Sequence, residues 1–140
     1  MPRVKTVMTP FPFSIQPETT VERAREIMLE NKIRHLPIVE HGKPKSIVSD
    51  RDISLALAVF PEDAATELRV ADICPSDLYT VDLETPLDVV ALALAERHIG
   101  AAIVTKEDRL AGIFTALDAC RALGEHLQNL FRDTIDDIAG

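Results

Sequence analysis

The sequence predicts an α+β fold in which two β-α-β-β-α repeats pack sheet to sheet about a pseudo-two-fold axis. Three observations lead there. The first is an internal repeat: Thr115 stands 66 residues after Ser49, and Asp118 stands 66 after Asp52. The same shift carries Ile15 onto Val81, Val21 onto Leu87, Met28 onto Leu94, Ile33 onto Ile99, Ile38 onto Val104 and Ile47 onto Ile113, without a gap. The second is the hydrophobic period, which switches within each repeat from helical spacing to short apolar strands. The third is size. A half of roughly 55–60 residues has one sheet face under its helices and the other uncovered, so it is marginal alone. Packing the two sheets together covers both and leaves clefts between the halves, at the strand ends.

The elements follow in order. A short extended segment, "FSI" in the first repeat and "YTV" in the second, opens each unit. A helix start comes next, with Thr19 or Thr85 as N-cap, Glu22 or Asp88 three residues on, and Pro86 in the first helical position. Over Val21–Asn31, the residues Val21, Ala24, Ile27 and Met28 share one face, the spacing of a buried stripe. Asn31-Lys32 ends that helix. "HLPIV" and "AAIVT" are middle strands, "EHGKPK" and "KEDR" turns, and "SIV" and "GIF" third strands. A final helix begins at Ser49 or Thr115. Residues 1–60 then form the first repeat, 61–69 a linker continuing "PEDAATEL", 70–122 the second repeat, and 123–140 a C-terminal amphipathic helix extension.

Composition narrows the function classes. The chain has 140 residues, 46% hydrophobic and 27% charged, which fits a folded protein. A net charge of −8 argues against a phosphate-tracking nucleic-acid binder, which needs clustered Lys and Arg. No apolar run approaches a membrane span, and no positive-then-apolar leader is visible. Cys74 and Cys120 form no CxxC spacing, so reduced thiols and a cytoplasmic address are expected. Cys74 aligns with Met8, a packing position, and Cys120 is expected to be buried in the last helix. His35 has no companion metal ligand in sequence, and His41, His98 and His126 fall at scattered surface positions. No nucleophile–base pair is spelled out, so no catalytic residue or metal site is assigned.

The two hydroxyl-x-x-carboxylate turns, Ser49 to Asp52 and Thr115 to Asp118, each follow a strand and open a helix. Taken singly, either is an ordinary capping box. Thr19-x-x-Glu22 and Thr85-x-x-Asp88 have the same form, with no ligand assigned to them. Duplication, strand–turn–helix setting and position at the inter-repeat clefts set the other two apart.

The opening "VKTVMTPFPFSIQPETTVERAREIMLENKIRHLPIVE", then "SIVSDRDI", and the degenerate second copy ending "LAGIFTALDA" resemble a tandem CBS-domain pair, or Bateman module. The resemblance covers nearly the whole chain apart from about the last fifteen residues. It departs at Ile103, where the first repeat has the family's Pro37, and at Ser46, the counterpart of Gly112.

The resemblance implies a non-catalytic regulatory module that binds adenosine-containing ligands: AMP, ADP, ATP, or sometimes S-adenosylmethionine or NAD. In such modules the motif Asp accepts from the ribose hydroxyls and the Ser or Thr contacts phosphate. Those roles fall to Asp52 and Ser49 in the first site, and to Asp118 and Thr115 in the second. Ile15, Ile33 and His35 would enclose adenine on one side, and Val81, Ile99 and Ala101 on the other. Arg51 could pair with phosphate, whereas its counterpart Leu117 cannot, which favours the first site. The chemistry is consistent, since a carboxylate can accept from two vicinal hydroxyls and a helix N-terminus can seat phosphate.

A module of this kind implies an unidentified target protein, and the resemblance implies a flat homodimer. In the tail, Ala119, Leu123, Leu127, Leu130, Phe131, Ile135 and Ile138 recur at three- and four-residue steps. That stripe either covers the module's own core or docks on a second copy. The alternative to a ligand sensor is a structural or dimerisation domain whose clefts stay empty.

Overall fold

The computed structural model describes residues 1–73 and 78–132, with the backbone alone at Ala65. Cys74, Ile135 and Ile138 lie outside the described residues. The elements are β1 (Thr9–Pro10), α1 (Val21–Asn31), β2 (His35–Glu40), β3 (Lys43–Ser49), α2 (Asp50–Val59), α3 (Glu62–Ala65), β4 (Thr80–Asp82), α4 (Leu87–Arg97), β5 (Ala101–Lys106), β6 (Arg109–Thr115) and α5 (Ala116–Leu130). No helix among the described residues is long and apolar enough to cross a membrane.

Local chemistry explains most boundaries. α1 buries Val21, Ala24 and Met28, the expected stripe, and ends at Lys32 in the left-handed region (φ 53°). α4 ends the same way at His98 (φ 54°), the counterpart of Lys32. Each hairpin turns on two residues with positive φ, His41 (55°) and Gly42 (78°) in one, Glu107 (52°) and Asp108 (66°) in the other. Two positive φ values define the tight turn whose twist matches antiparallel strands.

Two expectations shift by one residue. Thr20, not Thr19, caps α1, its hydroxyl accepting from the Arg23 amide at 3.1 Å. Thr19 instead accepts from the Gln16 amide one turn earlier. Pro86, the counterpart of Thr20, takes the cap position of α4 rather than the first helical one, and no side chain caps that helix. The 61–69 stretch holds α3, and Leu68 near its end is buried in the first core.

The extended openings of the two repeats differ. β4 pairs in parallel with β5 over three residues, whereas Ile15 makes a single bridge to Ile38. Two prolines account for this. In the second repeat Ile103 N–H donates to Tyr79 C=O and Leu83 N–H to Thr105 C=O. The equivalent donors in the first repeat would be Pro37 and Pro17, which have no N–H.

Strand alternation builds two kinds of core. Leu36, Ile38 and Val48 face the helices of the first repeat; Ala102, Val104 and Phe114 face those of the second. The opposite faces meet at the seam, where Ile47 of β3 packs against Ala101, Ile103 and Ile113. β1 adds to this arrangement by pairing with β6 (Thr9 with Ile113, Pro10 with Gly112), an edge strand without a sequence signal.

The segments ahead of the repeats cross over. Val4 joins the second core, and its N–H donates to Thr85 C=O at 2.9 Å. Val70 joins the first core, and its N–H donates to Thr19 C=O at 2.9 Å. Each half therefore holds a piece supplied by the stretch preceding the other.

Candidate functional site

The two hydroxyl-x-x-carboxylate turns have the same geometry. Ser49 (φ −103°, ψ 162°) caps α2 and Thr115 (φ −105°, ψ 164°) caps α5. Ser49 Oγ accepts from the Asp52 amide at 3.1 Å, and Asp52 Oδ2 accepts from the Ser49 amide at 3.0 Å. In the second turn, Thr115 Oγ1 accepts from the Asp118 amide at 3.2 Å and Asp118 Oδ2 from the Thr115 amide at 2.9 Å. Neither α1 nor α4 forms this reciprocal pair, so the motif turns differ from their sequence look-alikes.

Each carboxylate is thus half committed. One oxygen serves the backbone, while Oδ1 of Asp52 has no partner among the described residues. Oδ1 of Asp118 has Arg121 Nη1 at 3.6 Å. The helix amides are also partly used, since Asp50 N–H donates to Arg34 C=O and Ala116 N–H to Gly100 C=O, both at 2.9 Å. With the Asp52 amide on Ser49, Arg51 keeps the one unclaimed amide among the first three of α2. The seat for an anion is narrower than a bare helix start would give.

His35 lies directly across the strand pair from Ser49, as Ala101 does from Thr115. Its imidazole presses on Gly100 of the other repeat, where an added Cβ would stand 2.9 Å from Nε2. The His35 pKa lies below its ordinary value, chiefly because burial penalises the charged ring; Arg34 pushes the same way, against the carboxylates of Asp50 and Asp52. The expected site residues His35, Ser49 and Asp52 therefore share one corner, adjoining the second repeat at Gly100. Gly100 has a sequence signal only as the small counterpart of Arg34.

The apolar candidates disperse. Ile15 is buried in the first core and lines a hollow of about 420 Å³ with Ser14, Gln16, Thr19, Arg23 and Val39. Ile33 lines another, of about 470 Å³, beside Arg34, Asp50 and Ile53 between α1 and α2. Both hollows are lined by the first repeat alone. Val81 and Ile99 pack with the second core, and Ala101 sits in the seam cluster. Arg51 is exposed, as is Leu117. Cys120 is exposed rather than buried, because it lies on the outward side of α5. Among the described residues no group of His, Cys, Asp and Glu could hold a metal ion.

Comparison with known proteins places this architecture. The family model described as "CBS domain" matches twice, over residues 4–59 and 70–125. The chain is 26% identical over 113 residues to the CBS domain-containing protein YhcV of Bacillus subtilis, covering 81% of this chain and 79% of YhcV. Among solved structures, it resembles the CBS domain pair of protein MJ0100 in complex with 5′-methylthioadenosine and S-adenosyl-L-methionine (TM-score 0.80, 28% identity, 90% of this chain and 98% of that one). It also resembles CBSX2 in complex with AMP (TM-score 0.73, 25% identity, 88% and 96% covered). The chain belongs to the CBS-domain family and carries the domain twice.

Proposed function

We propose that the protein is a non-catalytic regulatory module that binds an adenosine-containing ligand between its repeats and signals to a partner protein. AMP, ADP and ATP are the favoured ligands, with S-adenosylmethionine and NAD as further members of the class. Asp52 Oδ1 accepts from the ribose hydroxyls, and the Ser49 hydroxyl with the Arg51 amide and guanidinium faces phosphate. His35, Ile33 and Ile15, which bridges to Ile38 of the same strand as His35, flank the base on one side. Asp118, Thr115, Val81, Ile99 and Ala101 make the equivalent second site. The first site is the stronger, because Asp118 already has Arg121 beside its second oxygen. The address is the cytoplasm, and the working unit is a homodimer.

The observation that carries this reading is the half-committed acid, present twice at one 66-residue spacing. The adenosine ligands named for the MJ0100 and CBSX2 structures support the ligand class. One observation favours the other reading, a structural domain with empty clefts: both carboxylates already satisfy their own backbone.

A substitution separates the two. Asp52→Asn keeps an oxygen for the Ser49 amide but replaces the other acceptor with an NH₂. Charged hydrogen bonds contribute about 1.5–3 kcal/mol, so calorimetric titration with AMP, ADP and ATP should show affinity at least roughly tenfold weaker in Asp52→Asn, with the melting temperature of the free protein nearly unchanged. Wild-type affinity surviving in both Asp52→Asn and Asp118→Asn would refute the ribose assignment. No binding by the wild type in titrations with these three, with S-adenosylmethionine or with NAD would leave the structural domain.

A further inference from the structure

We propose that the hollow of about 420 Å³ beside α1 is a further binding site, built for a small hydroxylated organic anion with the size and chemistry of a sugar phosphate. The inference is independent of adenosine binding. Ile15, Ile27 and Val39 give the hollow an apolar floor, while Gln16, Arg23 and His41 supply donors. Thr19 Oγ1 accepts from the Gln16 amide, so its own proton remains to be given. No acid lines the hollow, although the chain holds 23 Asp and Glu against 15 Lys and Arg. Its volume falls within the range of small-molecule sites.

The second repeat shows that this polarity is not a demand of the fold. Shifted by 66 residues, Gln16 becomes Asp82, Arg23 becomes Val89, and the turn His41-Gly42 becomes Glu107-Asp108. The matched positions there carry three carboxylates and no cation. The opening itself has a cause. Leu83 N–H donates to Thr105 C=O at 3.1 Å and holds the second repeat's strand to its sheet, whereas Pro17 has no N–H to give to Val39. Pairing in the first repeat goes no further than the Ile15 bridge, and the hollow lies where it stops.

The other repeat reaches the rim. Gly42 (φ 78°) lines the hollow, and a Cβ added there would meet Arg109 Nη1. Arg109 opens β6 and has no ion pair among the described residues. Arg23 is engaged by Glu26 at 3.0 Å and Glu30 at 3.8 Å, exposed pairs weak enough for an incoming anion to displace. A phosphate monoester brings close to two charges and three acceptor oxygens, which two guanidinium groups and an imidazole can share. The Ser49–Asp52 corner takes no part, because it lies at the other end of β2, roughly 17 Å away along the strand. Since Arg109 belongs to the second repeat, a bound anion would touch both halves.

Nuclear magnetic resonance titration of the full chain tests this, with glucose 6-phosphate, inorganic phosphate and glucose as probes. Glucose 6-phosphate should shift the amides of Gln16, Thr19 and Gly42 and saturate in the millimolar range. It should bind at least roughly threefold more tightly than phosphate, through its hydroxyls, and glucose should leave the amides in place. Gln16→Asp with His41→Glu installs the residues of the second repeat, whose Glu107 (φ 52°) already holds the conformation of His41 (φ 55°). That variant should bind at least roughly tenfold more weakly, and Arg109→Gln should also lose affinity. If the double variant fails to fold, Arg23→Gln replaces it, with the same expected direction. Wild-type affinity in the charge-altered variant or in Arg109→Gln would overturn the inference. So would shifts that climb without saturating, an equal response to glucose, or a response centred on Ser49 and Asp52 instead of Gln16 and Gly42.

Discussion

His35 joins the chemistry of the first motif turn to the second repeat. Its backbone pairs with Ser49, its ring rests on Gly100, and burial holds its pKa below the ordinary value of about 6.5. The consequence for stability has a definite sign. Above that pH the ring is neutral in folded and unfolded chains alike, and its contribution is fully present. As pH falls below it, the unfolded chain takes up the proton first, so stability declines until pH has passed the folded-state value. Melting temperature followed from pH 7.5 to 5.5 should fall in the wild type and fall less in His35→Gln; equal slopes would show that His35 does not titrate in this way.

At the scale of elements, the two C-caps carry a visible strain. Lys32 and His98 close α1 and α4 with φ near 53°, a conformation that costs a residue bearing a Cβ and costs glycine nothing. Lys32→Gly should therefore stabilise by roughly 0.5–1 kcal/mol, the gain at the cap exceeding the added freedom of the unfolded chain. Urea denaturation measures it directly, and a loss of stability would show that the lysine side chain contributes more than its backbone strain costs. The end of α1 at Lys32 was legible from its apolar spacing, since a buried stripe stops where its period stops. Its N-cap was not: Thr19 and Thr20 are adjacent, and the choice depends on where Val21 N–H meets Leu68 C=O, a contact from 47 residues away.

For the whole molecule, the crossed leaders make the halves interdependent. Val4 is fully buried in the second core although it begins the first repeat. Val4→Ala should cost about 2 kcal/mol through lost burial and a residual cavity. Hydrogen exchange should locate the loss, with protection falling first in β4 and α4 rather than in α1. If α1 loses protection first, the leader does not belong to the second core. The same crossing explains why each half is incomplete alone, beyond the size argument: an isolated first repeat would lack Leu68 and Val70, and an isolated second repeat would lack Val4.

Local pattern was enough to give the doubled unit, the order of its elements, the buried stripe of α1 and the positions of Asp52 and Asp118, each three residues after the capping hydroxyl of its helix. All of these depend on periodicity and on residues within a few positions of one another. Packing at long range was needed to reveal that the leaders exchange, that Ile15 and Ile33 line separate hollows, that one oxygen of each Asp is held by its own backbone, and that Cys120 and the α5 leucines are exposed. An apolar period says that a face wants cover; which distant segment supplies it is set by long-range packing, and the stripe of α5 has the period of a covered face without a cover among the described residues.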